Sequence, residues 1–250
     1  MVKPLIAVLI TLVICVSAAL PSPADDFAKA NQAFESKKYA EAAQLYTGIV
    51  TQGMESAPLY FNLGNAHFKN GDLGLAVLYY TKAKRLDPGN EDIRNNLQFA
   101  RQYTSVQMEG TQLNPVTSLL TTILDPYRLT TLAWASSFFF VLLFAILIVR
   151  YGFGLAHPSL RAATYVSLIL LALFGSLTTF KYRHDFLTRR AVIVAQESPV
   201  HTGPTEQSEL ELHGAAGLTV EILSESGDYY NVLFENMRRG WIRKSLVAEI

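Results

Sequence analysis

Five positions early in the chain recur at a fixed offset. Ala30, Phe34, Ala42, Tyr46 and Ile49 return 34 residues later as Gly64, Phe68, Ala76, Tyr80 and Ala83. Small residues return as small, and aromatics as aromatics. A period of this length fits one pair of helices and a turn, a unit that cannot bury its apolar face alone. Stacked copies share a continuous core and leave a concave surface, which suits holding protein segments rather than transforming small molecules. The first unit spans about 25–54 and the second about 57–90. In each, the first helix places a small residue, Ala30 or Gly64, where two helices touch. Turns follow at Lys37–Lys38 and Asn70–Gly71–Asp72. The second helix packs back through Ala42 and Tyr46, or Ala76 and Tyr80, the small residues admitting close approach and the rings filling the space beside them. Pro58 and Pro88 stand at unit boundaries, where they start or stop helices without breaking their interiors. A third helix over 91–107, striped by Ile93, Leu97 and Ala100, is expected to cap the stack within a domain at 25–110.

The apolar residues are unevenly spread, with concentrations at 5–19, 129–149 and 162–180. Residues 1–24 read as an export signal: Lys3 opens it, 5–19 is apolar, and small residues with prolines follow. Cleavage after Ala19 or Ala24, or retention as an anchor, gives the same orientation. Ile14 precedes the single cysteine, Cys15, where lipidation would want a small residue. The run 129–149 holds 21 residues without a charge. At 1.5 Å per residue it reaches about 30 Å, enough for the hydrocarbon layer. The run 162–180 reaches about 28 Å on the same arithmetic. Asp125 and Pro126 suit an N-cap and first helical position for the first span. Only 150–161 separates the runs, so an antiparallel transmembrane hairpin with a short cytoplasmic loop is expected. Both flanking domains then lie outside the cytoplasm. Lys181, Arg183, Arg189 and Arg190 beyond the second span oppose that orientation under the positive-inside bias; the export signal favours it. Ser136, Ser137, Gly175, Ser176, Thr178 and Thr179 suit close helix contact or cross-helix hydrogen bonds. Residues 111–128 read as a linker or an interfacial helix, carrying Leu119, Leu120, Ile123 and Leu124.

After a linker at 181–189 the period changes to two. Val192 and Val194, Leu210 and Leu212, Val220 and Ile222, and Val232 and Phe234 alternate as short strands. Breaks are expected at Ser198–Pro199, at 202–204, from His213 to Gly217 and at 226–228. Five or six strands over 190–250 predict a small closed barrel. The fold class is therefore a multidomain membrane protein: an all-α solenoid, a two-helix transmembrane hairpin and a small all-β barrel.

Catalytic patterns are missing from this sequence. It has no glycine-rich nucleotide loop with its lysine, no HExxH and no cysteine pair. His67, His157, His184, His201 and His213 are widely spaced, and no cofactor or metal is expected. A formal net charge of zero supplies no global field for nucleic acid.

The second unit resembles the tetratricopeptide family: Tyr60, Leu63, Gly64, Ala76, Tyr80, Ala83 and Pro88 stand at its signature spacings. The first is looser, with Ala30 for the glycine and Met54 for the late proline. The resemblance implies a concave binding groove that includes Asn31, Phe34, Glu35, Phe61, Asn62, Asn65, Phe68 and Lys69. Amides can bond an extended peptide's backbone while rings give apolar contact. Ala28, Asp92 and Asn96 replace the cations of the family's two-carboxylate clamp, which speaks against a C-terminal-carboxylate receptor. The segment 190–250 is similar to bacterial SH3 domains at His201–Thr202–Gly203–Pro204, Gly-Leu-Thr-Val 217–220, 229–232 and Gly-Trp-Ile 240–242. That likeness implies a ligand surface drawn from Tyr229, Tyr230 and Trp241.

The whole order of modules resembles the BatE family of bacterial aerotolerance operons, with NNLQFAR at 95–101 among the best local matches. This implies a noncatalytic inner-membrane scaffold, its repeats and SH3-like domain in the periplasm. Implied partners are von Willebrand A-domain membrane proteins and a MoxR-type ATPase complex that support resistance to oxidative stress. The alternative is an envelope tether or sensor whose barrel binds a cell-wall peptide.

Overall fold

The computed structural model describes residues 23–104, 115–155 and 157–250. Most of the expected export signal, and the end of the expected capping helix, lie outside these residues.

Five helices form the repeat region: α1 Pro23–Glu35, α2 Tyr39–Thr51, α3 Ala57–Asn70, α4 Leu73–Leu86 and α5 Glu91–Thr104. Their ends follow local chemistry. Ser56, extended at φ −155° and ψ 154°, accepts the Leu59 N–H at 3.2 Å, and Pro58 occupies the first turn where an N–H is dispensable. Gly71, left-handed at φ 88°, ends α3. Asn90 accepts the Ile93 N–H at 3.2 Å and so starts α5. Ala30, Ala42, Tyr46, Ile49 and Leu63 are buried in one cluster, Ala76, Tyr80, Leu97 and Ala100 in the next. At Gly64 a Cβ would fall 2.7 Å from the Tyr80 ring, so the close helix approach expected there is real.

Helix α6, Pro115–Leu124, leads to the two apolar helices. Helix α7, Leu129–Leu147, continues as a π turn over Ile148–Gly152; α8, Pro158–Tyr182, continues likewise over Arg183–Leu187. Both are long and apolar enough to cross a membrane. They outrun the expected boundaries, and the connection between them shortens to 153–157. The His157 ring caps α8, with Pro158 at its first position, so that helix begins before the apolar run. Contact between α7 and α8 includes stacked Phe139 and Phe174 rings, 5.3 Å between centroids, and Ser136 and Thr178 hydroxyls 3.0 Å apart. Gly175 has nothing within 4 Å of its Cβ position, so its small size serves no helix contact here. Trp134 is 76% exposed and Ile169 65%, on a surface that lacks polar cover.

Asp125 does not cap α7. It pairs with Lys84 of α4, and Arg128, the residue before α7, reaches Asp87 at 2.9 Å. These two ion pairs tie the repeats to the foot of the hairpin. The Asp87 carboxyl is held below the usual range, first by its hydrogen bond from Arg128.

The C-terminal region is one antiparallel sheet of seven strands in the order β3-β2-β6-β5-β4-β1-β7. They are β1 Arg190–Ile193, β2 Glu197–His201, β3 Leu210–Ala215, β4 Thr219–Ser226, β5 Tyr229–Leu233, β6 Arg239–Arg243 and β7 Val247–Glu249. Val200 of β2 and Val247 of β7 share one core although their strands are far apart in the order, so the sheet curls on itself. The ladder leaves β3 and β7 as edges rather than closing between them. Strand β2 runs through Ser198–Pro199, where a break is expected from sequence. Pro199 is tolerated because β2 pairs with β6 only at His201, leaving that edge without a partner for a missing N–H.

Strand β1 is buried on both faces. Ala191 and Ile193 enter the sheet core, whereas Val192 joins Val77 and Leu97 of the repeats. The alternating pair Val192 and Val194 therefore faces the helices, the reverse of a solvent-backed strand. Gly74 makes the approach possible: a Cβ there would meet Val194 Cα at 2.7 Å and the Ile193 carbonyl oxygen at 2.8 Å. Arg85 adds a hydrogen bond to the Ile250 main-chain oxygen at 2.9 Å. Repeats and sheet form one packed unit at the same end of the hairpin.

Candidate functional site

The groove of the repeats is built by a motif that occurs twice. In the first repeat Tyr46 of α2 donates its hydroxyl to Asn31 Oδ1 of α1 at 2.5 Å. In the second, Tyr80 of α4 donates to Asn65 Oδ1 of α3 at 2.6 Å. Each pair is 15 residues apart and the two pairs are 34 apart. Both tyrosines are buried, and each sets its hydroxyl against an asparagine of the preceding helix. Burial pushes both phenols above the usual tyrosine range, so they stay protonated and stay donors. Asn62 joins the first pair, donating Nδ2 to the same Asn31 oxygen at 3.1 Å.

Asn31, Tyr46, Asn62 and Asn65 line a cavity of about 360 Å³ with Phe34 and Glu35. Five residues expected in the groove from sequence, Asn31, Phe34, Glu35, Asn62 and Asn65, come together there. The tyrosines fix the asparagine oxygens, which leaves the Nδ2 groups of Asn31 and Asn65 as the donors a ligand can use. Such donors match the carbonyls of an extended peptide.

Other expected residues sit differently. Phe61 is half-buried against Tyr80, 5.9 Å between ring centroids, and Lys69 is exposed near the end of α3. Phe68 packs against Phe99 and Tyr103 of α5 at 5.6 and 5.8 Å. Phe99 is 47% exposed and Tyr103 61%, so the apolar surface of the second repeat continues onto α5. Sequence reading overlooked this ledge. Its signal was the spacing of four between two aromatics on an otherwise polar helix face.

In the sheet, Trp241 stands opposite Asn231 in the ladder and thus shares a face with Tyr229. Tyr230 lies on the other face, at the edge of the core. Tyr229 is 8% exposed, its hydroxyl taking a 3.3 Å hydrogen bond from Arg243 Nε. Tyr230 donates to Glu249 at 2.7 Å, with the cations of Arg189 and Lys244 over its ring at 5.6 and 5.0 Å. The Glu249 hydrogen bond is the first cause of its raised pKa. Trp241 is half-buried. The three aromatics do not share one surface.

Among the described residues no three or more His, Cys, Asp or Glu side chains gather as a metal site. The Tetratricopeptide repeat family model matches residues 57–90, the segment folded as α3, α4 and the following turn. No curated protein matches the chain. A tetratricopeptide repeat is a protein-interaction module, typically noncatalytic, and gives this chain a scaffold role toward protein partners in general.

Proposed function

We propose that the chain is a noncatalytic membrane scaffold whose repeat groove takes an extended segment of a partner protein. The observation that carries this reading is the tyrosine–asparagine hydrogen bond repeated in both units, whose asparagines Asn31 and Asn65 line one cavity. It holds amide donors in register along the direction in which the repeats stack. Exposed apolar side chains along α7 and α8 support insertion in a bilayer. Contact between α4 and β1 supports a common side for repeats and sheet. That side is the periplasm of a bacterial inner membrane, a reading supported by the export-like N-terminus. The likeness to the BatE family supports assembly of an envelope complex with von Willebrand A-domain proteins and a MoxR-type ATPase in oxidative-stress resistance. Held at one membrane surface, several weak contacts reinforce one another when geometry permits simultaneous engagement.

A photoreactive residue at Glu35, exposed at the cavity wall, tests the groove in intact cells. One protein should be captured reproducibly, and Asn65→Ala should abolish its capture while the protein remains folded. Capture unaffected by Asn65→Ala and by Asn31→Ala overturns the reading. Saturable binding of cell-wall peptides by the full chain, lost on Trp241→Ala, would instead favour an SH3-like tether or sensor.

A further inference from the structure

Where the repeats, the feet of the hairpin and the sheet meet, they enclose a second cavity of about 430 Å³. Its wall has two characters. Lys84 and Arg85 of α4, Arg128 before α7, Lys181 of α8 and Arg190 of β1 bring five cations to it. Asp125 and Asp185 are the carboxylates in that wall. Lys84 pairs with Asp125, and Lys181 with Asp185 at 2.9 Å. Arg128 pairs with Asp87 behind the wall. Arg85 and Arg190 donate instead to main-chain oxygens, those of Ile250 at 2.9 Å and His184 at 3.0 Å. Positive charge is in surplus even with Asp87 and a carboxylate at Ile250 counted. His184 also lines it, its Nδ1 2.9 Å from Asp185 Oδ1, and the rest of the wall is apolar or hydroxylic, including Leu86, Leu129, Phe186, Thr130 and Thr188.

The position of this cavity is as informative as its charge. Leu129 is the first residue of α7, and Phe186 lies in the last turn continuing α8. Helix α7 therefore begins, and α8 ends, at its floor, and on the membrane reading proposed above it opens at headgroup depth. The exposed apolar surfaces of α7 and α8 run on from it into the hydrocarbon. Guanidinium groups present forked donors that match phosphate oxygens, and threonine hydroxyls suit a glycerol or similar polar linker. The volume falls in the usual ligand range of about 300–1,000 Å³.

We propose that this junction cavity binds a phosphate group, supplied by the headgroup of an anionic membrane lipid. A lipid held there bridges all three parts of the molecule, because cations from α4, the α7 start and β1 all line the cavity. Docking of repeats onto the sheet would then be linked to the lipid around the hairpin.

Full-length protein in mixed micelles tests this by thermal unfolding, with phosphatidylglycerol, phosphatidylcholine or inorganic phosphate titrated in turn. Phosphatidylglycerol should raise the midpoint beyond phosphatidylcholine. Arg85→Gln with Arg128→Gln should weaken that response at least tenfold, whereas Lys38→Gln on the exposed repeat surface should leave it intact. Arg85→Lys with Arg128→Lys, which keeps the charge and loses the fork, covers the case in which the glutamine variant fails to fold; it should respond more weakly than the native protein. An arginine-dependent response to inorganic phosphate alone, equal to that with lipid, assigns the phosphate to a soluble source. Equal responses to both lipids and none to phosphate overturn the site, as does a full response in both double variants. Alkaline extraction of cell membranes separates the two proposals. Release of the chain defeats the membrane reading, whereas retention without lipid discrimination defeats only the cavity assignment.

Discussion

The two repeats begin from the same pattern and end in different surroundings. Position 40 in the first repeat is an exposed alanine; its equivalent 34 residues on, Gly74, is buried under the backbone of β1. Ala30 and Gly64 are likewise equivalent, and at Gly64 the Tyr80 ring occupies the space a Cβ would take. The first repeat therefore keeps an open flank, while the second is fixed between the first repeat, α5 and the sheet. A repeat array ordinarily needs a cap with a polar outer face, and here the sheet covers part of that duty through Val192 and Val194. Two units and a helix are a marginal stack alone. The stack is completed by a distant part of its own chain.

The largest expected effect breaks that asymmetry directly. Gly74→Leu should destabilise the protein by about 3 kcal/mol or separate repeats from sheet, because backbone cannot yield as side chains do. Ala40→Leu should stay within about 0.5 kcal/mol. Denaturant unfolding of the full chain reads both, and equal effects would dissolve the comparison. Next, Gly64→Ala should cost about 1–3 kcal/mol by forcing the Tyr80 ring aside. The converse change in the first repeat, Ala30→Gly, should cost only about 1 kcal/mol in helix entropy.

A smaller and sharper contrast concerns the hydroxyls. Tyr46→Phe leaves Asn31 Oδ1 still bonded to Asn62, so about 1 kcal/mol should be lost. Tyr80→Phe removes the donor to Asn65 without such a replacement and should cost about 2 kcal/mol. Reversal of that order in unfolding measurements would mean the Asn62 contact is idle.

The smallest effect is seen only in alkali. Burial raises Tyr46 and Tyr80, and burial with the Glu55 hydrogen bond pushes Tyr60 up to about 12. A raised tyrosine favours the fold while protonated. That contribution is full below the ordinary tyrosine value near 10 and is lost as pH climbs through the folded value. Thermal midpoints should hold up to about pH 10 and fall above it, with phenolate absorbance delayed until unfolding. Ordinary titration of every tyrosine in the folded protein would contradict this.

Much of this was legible in the sequence where the signal was local or periodic. The 34-residue echo marked the helix pairs, charge-free runs marked α7 and α8, and alternation marked β4 and β5. What escaped depended on residues far apart. Gly74 reads as an ordinary helix glycine until β1, some 120 residues later, is laid against it. Pro199 reads as a break because its unpaired edge exists only in the assembled sheet. Asp125 has the spacing of a cap, but Lys84 of α4 offers it a charge-assisted partner instead. At the groove, Asn31 and Asn65 stood out as polar repeats. Their tyrosine partners read only as fillers, because a hydroxyl's direction is set by the packing of two helices.

The account rests on a hairpin that carries groove and sheet on one membrane face. Single cysteines at Ser36, Ser226 and Phe153, in a Cys15→Ala background, test it with a membrane-impermeant maleimide applied to cells whose outer membrane is permeabilised. The account predicts labelling at Ser36 and Ser226 before lysis and at Phe153 only after it. Labelling of Ser36 and Ser226 from opposite sides would contradict it.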